Sequence, residues 1–272
     1  DKITDISPDA PGAKQNFRLR ERPGISGIKR KGKKMTEEEK QAYTDEGKKG
    51  YRFRQGEHRV LLASSSPRRR ELSGQMGLRF LIRPTDADES LPDGIPAAEA
   101  VCLLAERKAR AAMVGPDPRE IVIAADTTVE LDGRILGKPA TREEAFRMLS
   151  ALSGHTHAVH TGVAVACGDR LLCDRETSYV TFRALNCKEI YTYIDTGEPM
   201  DKAGAYGIQG GAWGFVSRLD GHFDNVVGLP TRLLDRLLCE LTGQDRNKTA
   251  AGQRGGGAIP PKEAPENAGR TE

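Results

Sequence analysis

Ser64-Ser65-Ser66-Pro67-Arg68-Arg69-Arg70 follows the apolar run Val60–Ala63 and has the composition of an anion site. A proline in the first helical position gives up no amide that the helix needed. The amides left unpaired at a helix start favour an anion. Arginines run against the usual preference for acidic residues in the first turn. Either an outside polyanion balances them or they form a solvated basic turn. Asp126 is a second candidate, because it follows the apolar stretch Ile121–Ala125. A carboxylate leaving a buried strand faces a cleft, or else closes the strand as an Asx turn. The acidic loop Asp86, Asp88 and Glu89 is the third. One of these converging with Asp126 would supply the one or two carboxylates that Mg²⁺ uses alongside substrate phosphates; alone, the loop is solvated surface.

Cationic residues recur beside turns or glycines: Arg68, Arg69, Lys108, Lys138 in Gly-Lys-Pro, and Lys202 in Asp-Lys-Ala-Gly. Cations, carboxylates and a divalent metal together make the machinery of phosphate chemistry. Gln209, within Gly207-Ile208-Gln209-Gly210-Gly211, offers a donor and an acceptor. That pairing suits the edge of a nucleobase, or simply a solvent-facing loop wall. Two other signals are weak. His155, His157 and His160 resemble a metal cluster, but strand alternation puts His160 on the face opposite the other two. Ser64–Ser66 has no histidine at a motif spacing that would activate a serine nucleophile.

The elements that must position these groups alternate between strand and helix. Strands are expected at Val60–Ala63, Leu78–Arg83 and Ile121–Ala125, with a hairpin over Val129–Leu136 about Asp132-Gly133. Two long strands, Ala158–Cys167 and Leu171–Arg183, meet at Gly168-Asp169, and Phe215–Leu219 pairs onward through Asp220-Gly221. Helices are expected at Pro67–Met76, Pro96–Met113, Thr141–Leu152 with a capping box from Thr141 to Glu144, Cys187–Asp195 and Leu229–Leu241. Helices mixed with hairpins imply an α/β fold with a mixed sheet.

Composition divides the chain into three parts: residues 1–57, a basic and disordered arm with a short helix about Thr36–Tyr43; residues 58–242, one globular domain; and residues 243–272, a flexible tail. Up to Arg59 there are 16 Lys and Arg against 10 Asp and Glu, whereas residues 60–242 have 21 against 25. The net charge of +3 therefore belongs to the arm, which disfavours a nucleic-acid partner for the globular part. No apolar stretch approaches membrane-spanning length, and no secretory signal is evident. Cys102, Cys167, Cys173, Cys187 and Cys239 are scattered without a close pair, so reduced thiols and a cytoplasmic location are expected.

Together, Leu-Ala-Ser-Ser-Ser-Pro-Arg-Arg, Ala-Glu-Arg-Lys-Ala, Ala-Ala-Asp-Thr, Gly-Lys-Pro, Leu-Ser-Gly with His157 and Thr161-Gly162-Val163, Gly-Glu-Pro-Met-Asp-Lys-Ala-Gly-Ala-Tyr-Gly-Ile-Gln-Gly and Val-Val-Gly-Leu-Pro resemble the Maf family of nucleoside triphosphate pyrophosphatases. The resemblance runs from about Val60 to Leu241. It implies an elongated α/β fold, with a mixed, twisted sheet flanked by helices and a central cleft, similar to that of the inosine triphosphatases. It further implies cleavage of a nucleoside triphosphate between the α and β phosphates with a divalent cation, Mg²⁺ or Mn²⁺. On the same basis, Asp126 is the general base, Glu89 and Asp126 hold the metal, and Ser64, Arg68, Arg69, Lys108, Lys138 and Lys202 bind the nucleotide.

Arg68, Thr127 and Gln209 match the branch acting on dTTP and UTP. The branch preferring 7-methyl-GTP tends to carry Trp after the first Pro and Glu in place of the Gln. An amide pairs with the O4 and N3–H edge of a pyrimidine, where a carboxylate would suit a cationic methylated guanine. Thr128 and Trp213 depart from the family pattern. The alternatives are a non-catalytic regulator of septum formation, a 7-methyl-GTP pyrophosphatase, and nucleic-acid binding through the arm. A homodimer is left open.

Overall fold

The computed structural model describes residues 34–46, 50–113, 115 and 117–244. The expectations for residues 1–33 and for the tail beyond residue 244 lie outside them. Seven strands form one sheet: β1 (Arg59–Leu62), β2 (Phe80–Ile82), β3 (Glu120–Leu131), β4 (Arg134–Leu136), β5 (Thr156–Cys167), β6 (Arg170–Phe182) and β7 (Val216–Asp220). Their order is β2-β1-β3-β5-β6-β7, with β4 attached to β3. β1 runs parallel to β2 and β3, and every other pairing is antiparallel. The expected mixed α/β architecture is therefore present.

Helices cover both faces: α1 (Glu37–Glu46), α2 (Pro67–Gln75), α3 (Ala97–Ala112), α4 (Arg142–Leu152), α5 (Cys187–Ile194), α6 (Phe223–Val227) and α7 (Thr231–Thr242). Strand alternation sorts the core into two layers. Val60, Leu62, Ile121, Ile123, Val163 and Val165 face the side with Leu72 of α2 and Leu234 of α7. Leu61, Ala63, Val122, Ala124, Ala164 and Ala166 face α3, which answers with Ala105, Ala109 and Ala112. A layer built mostly from alanine lets α3 lie close to the sheet, its Val101 carbonyl standing where a Cβ at Gly162 of β5 would go. On the other face α7 buries Leu233, Leu234, Leu237, Leu238 and Leu241, each stabilising the packing by about 1.5–3 kcal/mol.

Three expectations need correction. Ile121–Ala125 and the first arm of the Val129–Leu136 hairpin are one continuous strand, β3, because β5 pairs with it from Val122 to Glu130 without a break. Asp126 thus lies in the middle of a strand. No strand follows Asp220-Gly221; the chain turns into α6, where Phe223 and Val227 enter the core. The boundary at residue 57 falls inside packed structure. Asp235 of α7 accepts both the Arg52 and the Phe53 amide at 2.8 Å, and the Phe53 side chain is buried. These anchors are single contacts, without the periodicity that reveals an amphipathic element.

The expected helix about Thr36–Tyr43 is α1, its start capped reciprocally by Thr36 and Glu39. Among the described residues no helix is long and apolar enough to cross a membrane.

Candidate active site

β1 pairs with residues 120–123 of β3, and β4 with residues 129–131. Both lie on the side of β3 away from β5. Between them, among the described residues, Ala124–Thr128 has no strand neighbour on that side. This gap opens beyond the C-terminal end of β1, where α/β folds place their ligands. Asp126 lies on this stretch of β3, unpaired on one side because β1 stops short, although β3 itself does not.

Alternation sends Asp126 to the α3 face, with Val122 and Ala124, and Thr127 to the opposite one. Lys108 lies on the sheet-facing stripe of α3 that also carries Val101, Ala105 and Ala112. Its ammonium donates to Asp126 Oδ1 at 2.7 Å and pairs with Glu89 Oε1 at 2.7 Å. The two carboxylate oxygens therefore lie within twice that distance of each other. The hydrogen bond from Lys108 holds Glu89 below the usual carboxylate range; the charges of Lys138 and Arg69 add to this, and partial burial opposes it.

On the other face, Ser66 caps α2, and Pro67 occupies its first position as expected. Arg69 reaches across the end of β1: its Nε donates to the Gly228 carbonyl at 2.9 Å and one Nη to Thr127 Oγ1 at 3.1 Å. The other Nη meets Ser64 Oγ at 3.4 Å. Burial pushes the Arg69 guanidinium below its ordinary value, and the charges of Asp126 and Glu89 pull it back. Arg70 is exposed, and its side chain donates to the Ser65 carbonyl.

A second wall approaches from further along the chain. The Gly204 amide donates to the Gly137 carbonyl at 3.0 Å, which ties the Lys138 turn to the Lys202 turn. Lys202 donates to the Glu198 carbonyl at 2.7 Å and to Asp201 Oδ1 at 2.6 Å. Burial raises the Asp201 carboxyl, but the Lys202 hydrogen bond and the charges of Lys202 and Arg68 outweigh it, so it sits low.

Ser64, Arg68, Arg69, Glu89, Lys108, Asp126, Thr127, Lys138 and Lys202 are thereby linked through contacts or mutual electrostatics. Gln209 is not: its side chain makes no hydrogen bond among the described residues, and its link to the group runs through the Lys202 side chain packed against Gly207.

Glu89 and Asp126 fit a small divalent cation, which takes one or two carboxylates and completes its shell with phosphate oxygens and water. Among the described residues no third acidic, histidine or cysteine group joins them. The histidines are accounted for otherwise. His157 is buried and hydrogen-bonded to the Tyr206 hydroxyl, whereas His160 binds Thr177 and Glu130.

Several contributors escaped sequence reasoning. Thr161 Oγ1 joins Thr127 Oγ1 at 2.9 Å and donates to the Asn225 carbonyl at 2.9 Å. Glu198 accepts the Gly211 amide at 3.1 Å, and its carboxylate occupies the space that a side chain at Gly210 would need. Cys102 and Cys173, distant in sequence, are adjacent in space on α3 and β6, with no disulfide between them. Only pairing between distant segments creates these contacts, and no spacing signals them.

Residues 59–241 match the family model described as Maf-like protein. The chain is 51% identical over 181 residues to the dTTP/UTP pyrophosphatase of Pelotomaculum thermopropionicum, a match spanning 65% of this chain and 94% of that one. It is 48% identical to the dTTP/UTP pyrophosphatase of Symbiobacterium thermophilum, spanning 66% and 93%. Its identity to the protein of the same name from Anaeromyxobacter dehalogenans is 50%, spanning 63% and 88%. Among solved structures, the Ham1 protein of Staphylococcus aureus is similar with a TM-score of 0.39 and 15% identity, over 69% of this chain and 100% of that one.

Proposed function

The chain belongs to the Maf-like protein family, and on that premise we propose that it hydrolyses dTTP and UTP to the nucleoside monophosphate and pyrophosphate. The observation that carries this reading is the convergence of Glu89 and Asp126 on one lysine, beside Arg69 and the open end of β1.

In the proposed reaction Asp126 is the general base. Lys108 engages its Oδ1, while Oδ2 has no hydrogen bond among the described residues. That second oxygen accepts the proton of the water attacking the α phosphorus. Help of this kind from one positioned carboxylate contributes about 10²–10⁴-fold. Arg68, Arg69, Lys138 and Lys202 neutralise the triphosphate, and Ser64 supplies a hydroxyl at the helix start. Glu89 and Asp126 would hold Mg²⁺ or Mn²⁺, which would neutralise charge on the phosphoryl oxygens. The Gln209 amide reads the O4 and N3–H edge of the pyrimidine. Among the described residues the cysteines form no disulfide, which supports a cytoplasmic setting.

The test is pyrophosphate release from dTTP, UTP, CTP and 7-methyl-GTP, with and without Mg²⁺ or Mn²⁺. Turnover of dTTP and UTP that depends on metal is expected. Preference for 7-methyl-GTP would reassign the substrate, and no turnover of any nucleotide with metal would sink the reading.

A further inference from the structure

The family match begins at residue 59, so α1 and the segment leading into it lie outside it. This segment nevertheless docks on the loop that carries Gln209. The Met35 amide donates to the Val216 carbonyl at 3.1 Å, and the Met35 side chain is buried. Lys40 Nζ donates to the Gln209 carbonyl at 3.4 Å and lies 5.5 Å from the centre of the Trp213 ring, within cation–π range. Trp213, one of the two departures from the family pattern, is itself buried with its edge toward Phe223.

The loop needs such support. Gly207, Gly210, Gly211 and Gly214 leave its backbone little intrinsic preference. From inside, Tyr193 accepts the Gly207 amide at 2.9 Å and Glu198 accepts the Gly211 amide. Between those two pins stand Ile208, buried in the core, and Gln209, whose amide side chain is left for a ligand. Lys40 holds the Gln209 peptide from outside.

We propose that Lys40 is a positioning residue for base recognition, fixing the backbone that presents the Gln209 amide and so setting the KM for pyrimidine nucleotides. This rests on the dTTP/UTP reading of Gln209. The design is local: through Lys40, α1 touches the loop that reads the base.

The experiment compares Lys40→Met, Lys40→Arg, Gln209→Ala and the double variant Lys40→Met with Gln209→Ala, all in the full chain. KM and kcat for dTTP and UTP are measured along with the thermal midpoint. Lys40→Met should raise KM about threefold or more, with kcat within about twofold of wild type. Lys40→Arg should restore most of the affinity, since a guanidinium keeps both the donor and the cation over the ring. On the Gln209→Ala background Lys40→Met should add nothing further, because its effect runs through that side chain. An unchanged KM, a full additive effect on that background, or a loss of kcat and thermal midpoint with KM intact would each overturn the proposal. Wild-type enzyme that turns over no nucleotide would instead sink the parent reading.

Discussion

Gly162 lies directly across from Asp126 on the neighbouring strand, and the Cβ it lacks would run into the backbone carbonyl of Val101 on α3. The absent side chain at one position therefore sets the depth at which α3 rests on the sheet. Seven residues further along that helix, the same depth delivers Lys108 to Asp126. Gly162→Ala should push α3 outward, costing about 1–3 kcal/mol of stability by overpacking. It should also lower kcat, because the Lys108–Asp126 distance is lost. Urea unfolding and steady-state kinetics check both. Wild-type kinetics in this variant would uncouple helix depth from the site.

Lys108 binds the two carboxylates, Glu89 and Asp126, that the proposed reaction assigns to a divalent cation. Asp126→Asn should retain the fold and lose about 10²–10⁴-fold in kcat. Lys108→Met should also be slow, yet it frees Glu89 and Asp126 for metal. Added Mn²⁺ should then raise its thermal midpoint more than it raises that of the wild type. Asp126→Asn should show little such shift. Equal Mn²⁺ shifts in all three proteins would place the metal elsewhere.

His157 gives the fold an acid sensitivity. Burial alone pushes its pKa from 6.5 to about 3. Between those values the unfolded chain carries a proton that the folded chain refuses, so stability rises with pH across that window. The contribution of the neutral ring is complete above about pH 6.5 and erodes as the pH falls toward 3. His157→Gln keeps a partner for the buried Tyr206 hydroxyl and removes the titration. Urea midpoints measured from pH 7 to pH 4 should fall less steeply in that variant. An identical slope would assign the acid sensitivity to other groups.

Cys102 should be the reactive thiol. A hydrogen bond with the Cys173 thiol, helped by the Arg175 guanidinium, lowers its pKa below the ordinary thiol value, while Cys173 is raised. Alkylation by iodoacetamide, followed by mass spectrometry, should label Cys102 with a midpoint below that of an ordinary thiol. The midpoint should move upward in Arg175→Ala. Preferential labelling of Cys173 would reverse the assignment of donor and acceptor.

Much of this layout was legible in the chain. Apolar runs and helical spacing placed β1, β5, β6, α3 and α4 to within a few residues, because burial on one face leaves a period in the sequence. Pro67 and Thr141 marked helix starts for local reasons of hydrogen bonding, which neighbouring residues alone supply. Asp126 was legible as a residue and misread as a position. A strand end and a strand interior that has lost one neighbour look alike when only one strand is in view. The segment 50–57 reads as arm from composition alone, because Phe53 and the amides that bind Asp235 form no pattern.

The sequence by itself determined the chemical inventory: which carboxylates, cations and amide were available. It also determined the two-layer sorting of β3, since alternation sends Asp126 and Thr127 to opposite faces whatever lies beyond. Only the tertiary structure decided that Glu89, Lys108 and Asp126 meet at one ammonium, that Arg69 spans from Ser64 to Gly228, and that α1 grips the Gln209 loop. The physical reason is range. Hydrogen-bonding and steric preferences act over a few residues of chain. The site depends on how far β1 runs beside β3 and how closely α3 can approach at Gly162, which are properties of the packed sheet.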